Sequence, residues 1–151
     1  VDRQTTKIRK LIELRQRDVD SELSHLSVAR REVARSEAEL ARVRMELQQA
    51  LEERRTMMNG ALDVNAWRNL EEWMETLSIR QAKAANDVAV AKVHERRAVA
   101  RLGVAHKKKK QADMLLERLE RARRLTAVRA ERKQEDELAQ RHVLRRAKED
   151  A

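Results

Sequence analysis

The sequence predicts an all-α protein: two long helices in an antiparallel coiled-coil hairpin, with the second helix overhanging the first. Three observations predict it. The 151 residues contain no proline and only two glycines, so almost nothing interrupts a helix. Apolar residues recur every seven positions through two long stretches, the pattern of a left-handed helix–helix seam. Between those stretches lies one strong turn signal, Asn59-Gly60, where both residues accept φ > 0 at low cost.

Composition narrows the class further. Charged residues make up 40% of the chain, and with two Trp and no Phe or Tyr there is no material for a bulky globular core. Cysteine is absent, which excludes a disulfide framework and suits a reducing compartment. No apolar run approaches the roughly 20 residues a bilayer span needs, and there is no signal-peptide core near the N-terminus. A cytoplasmic protein that is not membrane-inserted is expected. The net charge of +9 is unevenly placed. Residues 1–91 hold 16 basic and 16 acidic side chains, whereas residues 92–151 hold 19 and 10. The last part of the chain is therefore the part expected to meet something acidic.

Taken in order, the chain reads as one coiled-coil domain over residues 1–151. Helix one is expected over about 5–57, N-capped by Thr5 or Thr6. Its leading stripe is Ile12, Val19, Leu26, Val33, Leu40 and Leu47, with a smaller, mixed companion stripe that includes Glu22, Ala29, Ser36 and Val43. The turn occupies 58–65. Asn59 or Gly60 is expected to close helix one in a left-handed cap, and Asp63 or Asn65 to open helix two. Helix two is expected over about 66–148. Its stripe, Leu70, Leu77, Ala84, Ala91, Ala98, Ala105, Ala112 and Leu119, contains five consecutive alanines. Small residues there let helix one approach closely, and its Val and Leu fill the space above them. A parallel homodimer would set alanine against alanine and bury less. Gly103 weakens helix two by about 1 kcal/mol relative to Ala. Folding about residue 60 sets residue 8 opposite residue 113, so the helix beyond about residue 120 has no intramolecular partner.

Chemistry-bearing patterns are sparse. His25, His94, His106 and His142 have no metal-ligand spacing, and there is no glycine-rich phosphate loop. Carboxylates lie along helix faces where i, i+4 pairing explains them. No enzyme, metal or cofactor is expected. The Lys107–Lys110 run and the arginines from Arg121 to Arg132 are the candidates for nucleic acid. Stacking aromatics are missing there and acids are interleaved, which favours a solvated or protein-contacting face. Trp67 falls in a seam phase and reads as a plug at the hairpin tip. Trp73 lies beside the stripe and reads as a protein-contact anchor.

Two segments carry a family resemblance. Asn65-Ala66-Trp67-Arg68-Asn69-Leu70-Glu71-Glu72-Trp73-Met74-Glu75-Thr76-Leu77, just past the turn, resembles the FliJ/YscO family of the type III protein export apparatus. Gln134-Glu135-Asp136-Glu137-Leu138-Ala139-Gln140-Arg141 is similar to that family's Asp-Glu-x-Ala-x-Arg ending. The chain departs from the family at Leu70 and Trp73, where members often carry Tyr or Phe. The resemblance implies a non-enzymatic stalk, shaped like the γ subunit of rotary ATPases and seated in the central pore of the hexameric export ATPase. It implies help in ring assembly and activity, a link to the export-gate membrane protein, and, for some members, binding of export chaperones. The implied location is cytoplasmic, peripheral to the inner-membrane export apparatus. By the same resemblance Trp73 and Leu77 are the expected export-gate contacts. Arg121, Arg124, Arg132, Lys133, Asp136, Glu137 and Arg141 are the expected contacts with the ATPase ring. The competing reading is a basic coiled-coil scaffold or nucleic-acid-binding protein unrelated to export.

Overall fold

In a computed structural model of the protein, helix α1 spans Arg3–Met58 and helix α2 spans Val64–Glu149, 56 and 86 residues long. The structure describes residues 2–61 and 63–150, so the part of the turn reading that falls on Leu62 lies outside the described residues. The two helices pack antiparallel, with no strand among the described residues.

The helix ends follow from their capping chemistry. α1 begins earlier than its threonines suggest, because Asp2 is the cap: its Oδ1 accepts from the Gln4 amide at 3.4 Å. Thr6 instead donates its hydroxyl back to the Asp2 carbonyl at 3.2 Å, and Thr5 becomes the first seam residue, 4% exposed. The left-handed cap expected at Asn59 or Gly60 does not form, since neither residue takes a positive φ. The Asn59 and Gly60 amides donate to the carbonyls three residues back, Thr56 at 3.2 Å and Met57 at 3.4 Å. Such a tightened last turn satisfies the terminal carbonyls without αL geometry. Asp63 caps α2, its Oδ1 accepting from the Asn65 and Ala66 amides at 3.0 and 3.4 Å. Helix two therefore starts at Val64.

The chain divides into two compact units, Asp18–Ala105 and Val1–Arg17 with His106–Ala151. In the first, here the turn unit, buried residues of α1 recur at steps of seven, with one step of three: Val19, Leu26, Val33, Leu40, Val43 and Ala50. On α2 the buried set is Leu70, Leu77, Ala84, Val88, Ala91, Ala98 and Ala105. Leu40 packs with Ala84 and Val88, a large side chain over a small one as the stripes require. Nearer the turn, Ala50, Leu70 and Leu77 form a cluster flanked by Leu47, Met57 and Met74. In the second, here the terminal unit, Thr5 on α1 and Ala112 on α2 are the buried residues. Ile8, Ile12, Lys109, Leu116 and Leu119 are half-buried around them.

Ion pairs record the register. In the turn unit Glu22 lies 3.5 Å from Arg101 and Glu37 lies 3.6 Å from Lys92. In the terminal unit Asp2 pairs with Arg123. Residue 8 thus lies level with a residue near 117 rather than 113. The fold point thus lies past residue 60. On α1, Arg42 donates two bonds to Glu39, at 2.7 and 3.1 Å. That bond, and then the positive charges of Arg42 and Arg80, hold the Glu39 carboxyl below the usual carboxylate range.

Two substitutions on α2 should move stability in opposite directions. Ala98 is 1% exposed, so Ala98→Leu overpacks the seam and should cost on the order of 1–3 kcal/mol. A Cβ at Gly103 meets nothing within 4 Å, so Gly103→Ala should stabilise by about 0.5–1 kcal/mol. Denaturant titration followed by circular dichroism checks both; an Ala98→Leu variant as stable as the parent would refute the close seam.

Candidate functional site

Two surfaces carry the chemistry, one at the turn and one in the terminal unit. At the turn the two indoles take different roles because they sit on different faces of α2. Trp67 occupies a seam position and is half-buried, with the Arg54 guanidinium from α1 lying 5.2 Å from its ring centroid. This caps the last seam layer with a cation over an aromatic face, worth about 0.5–1 kcal/mol at an exposed site. Trp73 lies six residues on, is 41% exposed, and has Arg80 of its own helix 5.3 Å from its ring. An indole left half in water, with its edge free, is a surface a partner can cover.

Leu77 is different from its expectation. It is fully buried, 0% exposed, inside the cluster with Ala50 and Leu70. Its heptad phase puts it on the seam, so it holds α2 against α1 and offers no contact surface to a partner. Of the two residues expected at the export gate, only Trp73 has an accessible side chain.

The terminal unit is defined by charge. Counting side chains, it holds 21 basic and 11 acidic groups, hence +10, whereas the turn unit holds 14 and 15, hence −1. Much of the excess lies on α2, but Arg3, Lys7, Arg9, Lys10, Arg15 and Arg17 of α1 add to it. Reading charge along the chain misses this contribution, because these residues join the C-terminal basic stretch only when the chain folds back. Pairing them by the hairpin register would have revealed it.

Every residue from Arg121 to Asp150 is exposed. Arg121 donates to one local neighbour, Glu117, at 3.1 Å. Arg124, Arg132, Lys133, Asp136, Glu137 and Arg141 all stand on this exposed helix, where Leu125, Val128, Leu138, Val143 and Leu144 are also 43–66% exposed. Arg123, beside them, is committed to Asp2 and marks where α1 stops covering α2. The Lys107–Lys110 run is split by the helix period: Lys109 is half-buried at the seam, and its three neighbours face solvent.

No group of three or more potential metal ligands occurs among the described residues, and no described helix is long and apolar enough to cross a membrane. The family model described as "Flagellar FliJ protein" matches residues 4–148. The chain belongs to the FliJ family. FliJ proteins are associated with flagellar and type III export, as a non-catalytic component of that machinery. The match takes in the indole-bearing start of α2 and the exposed basic helix alike. No curated protein and no solved structure matches the chain.

The two faces of α2 near the turn predict contrasting variants. Leu77→Ala should cost about 2–5 kcal/mol, because it opens a cavity in the best-buried layer. Trp73→Ala should change stability by no more than about 1 kcal/mol. Comparing their melting curves checks the assignment; equal losses would show that Trp73 belongs to the core.

Proposed function

We propose that this FliJ-family chain is the central stalk of the type III export ATPase complex. In this reading the terminal unit occupies the pore of the hexameric ATPase, and Trp73 meets the cytoplasmic part of the export-gate membrane protein. The stalk works at the cytoplasmic face of the inner membrane and catalyses nothing itself. The observation that carries the reading is the exposed, unpartnered stretch of α2 after Arg123, in a unit carrying +10.

The physics of such a stalk is mass action. A ligand that binds the assembled ring and not its free subunits stabilises the ring in proportion to its occupancy. Arg121, Arg124, Arg132, Lys133 and Arg141 face acidic pore residues, while Asp136 and Glu137 pair with basic ones. Each exposed pair is worth only a fraction of a kcal/mol, so the grip depends on many pairs together and weakens with salt. Leu125, Val128 and Val143 supply apolar contact between the charges.

A basic scaffold that binds nucleic acid is the second reading, favoured by the same +10 unit. Against it stand the interleaved acids Glu131, Glu135, Asp136 and Glu137 and the lack of any stacking aromatic in that unit. Salt-sensitive retention on DNA without ATPase binding would decide for it.

Truncation after Arg123 is the main test, since it keeps the Asp2–Arg123 pair and removes the exposed helix. Ring assembly and ATPase stimulation should be lost while circular dichroism still reports a folded hairpin. Full stimulation by the truncated chain would sink the proposal. Trp73→Ala should weaken binding to the export gate and leave stimulation of the ATPase intact.

A further inference from the structure

The turn unit has a second surface that the stalk reading does not use. On one flank of the hairpin a groove of about 700 Å³ opens between the helices. Ala29 and Ser36 of α1 and Ala91 of α2 form its floor, because small seam residues leave room beside the helix contact. Val28 and Val90 stand on its walls, 53% and 47% exposed. Val104, 55% exposed, lies two heptads beyond Val90 on the same face of α2. The Glu22–Arg101 and Glu37–Lys92 pairs set Val28 level with the stretch of α2 between Val90 and Val104. The three valines therefore follow one another at about heptad intervals, drawn alternately from the two helices.

Solitary exposed aliphatics are ordinary, but this grouping is not what a two-stranded coil needs. Outer positions favour residues that are both solvated and good helix formers, and β-branched valine is neither. At the same outer positions the chain also uses Arg35, Arg42 and Lys83, and Arg97 stands between Val90 and Val104, its aliphatic stem level with Val28. The rim is polarised: His25 and Arg101 mark one end and Asp87 the other, with Glu32 and His94 between.

We propose that this flank groove is a docking site for an amphipathic helix of a partner protein, which adds a third strand over Val28, Val90 and Val104. Its acidic residue lies beside His25 and Arg101, and its basic residue beside Asp87. A helix is the occupant because the groove repeats at the heptad interval; an extended strand, with its two-residue repeat, would meet the valine row out of step. Charge sets its direction. A partner helix with acids in its first turn and bases in its last, the arrangement its own dipole favours, runs parallel to α1. The site is independent of the terminal unit and of Trp73.

The test uses the whole chain and a designed helical probe of about 20 residues. The probe carries Leu and Ala in a heptad stripe, Glu near its N-terminus and Lys near its C-terminus, and binding is read by fluorescence anisotropy. Saturable binding is expected, weakened about tenfold or more by the double variant Val28→Lys/Val90→Lys. Asp87→Lys should also weaken it, and a probe with its Lys changed to Glu should restore binding to that variant. Val90→Thr, a milder change, should give an intermediate loss with the helical signal intact. The proposal is overturned by any of four results: no saturable binding, unchanged binding by the valine variants, no rescue by the charge swap, or concentration-dependent dimerisation abolished by the valine double variant. The last would make a second copy the occupant.

Discussion

Close approach along the alanine ladder of α2 is the constraint on which the rest depends. Ala84, Ala91, Ala98 and Ala105 present little side-chain volume, so α1 can lie against the backbone of α2 with Val and Leu filling the layers. A seam of this kind buries a stripe and nothing more. Among the described residues the buried side chains keep to that stripe. Function has to reside on outer surfaces: a turn, a flank, an uncovered helix.

Electrostatics then decides how the two helices meet. Beside the seam α1 places Glu32, Glu39, Glu46 and Glu53 along one flank, where α2 places Arg80, Asp87, His94 and Arg101. Across the other flank Glu37 meets Lys92. These exposed contacts contribute little each, and together they favour the observed register only modestly. Within the seam Glu22 adds to this selection. One of its oxygens is shielded from water and lies 3.5 Å from both His25 and Arg101, without hydrogen-bond geometry to either. A partly buried carboxylate of this kind is tolerated only where its cationic neighbours are, which ties α1 to one position on α2. Pairing leaves the turn unit at −1, and what cannot be paired collects in the terminal unit at +10.

The division of labour between neighbouring residues follows from the helix period. Trp67, Trp73 and Leu77 lie within eleven residues of one another, the first and last at seam positions and Trp73 beside the seam. One covers the last seam layer under Arg54, one remains half in water, and one is sealed. Family resemblance gives Trp73 and Leu77 the same role, since it reads positions along the chain and is blind to the direction in which a side chain points. Burial separates an anchor that a partner can touch from a residue that keeps the anchor's helix in place.

The sequence by itself determined the fold class and both seam stripes, because heptad periodicity and the absence of helix breakers are local, additive signals. It also determined Asp63 as one of two caps for α2, and the overhang, because the stretch on one side of Asn59-Gly60 is longer than the other. Only the tertiary structure decided the cap of α1, since Asp2, Thr5 and Thr6 are all competent and the seam's claim on Thr5 settles the choice. It decided that neither Asn59 nor Gly60 is left-handed, because amide bonds to carbonyls three residues back close α1 as well. It decided that Arg123, within the stretch exposed from Arg121 onward, is held by Asp2. And it brought the basic start of α1 beside the basic part of α2, and Val28 beside Val90. Each of these depends on which residues a fold places side by side, and no pattern along a single strand of sequence contains that distance.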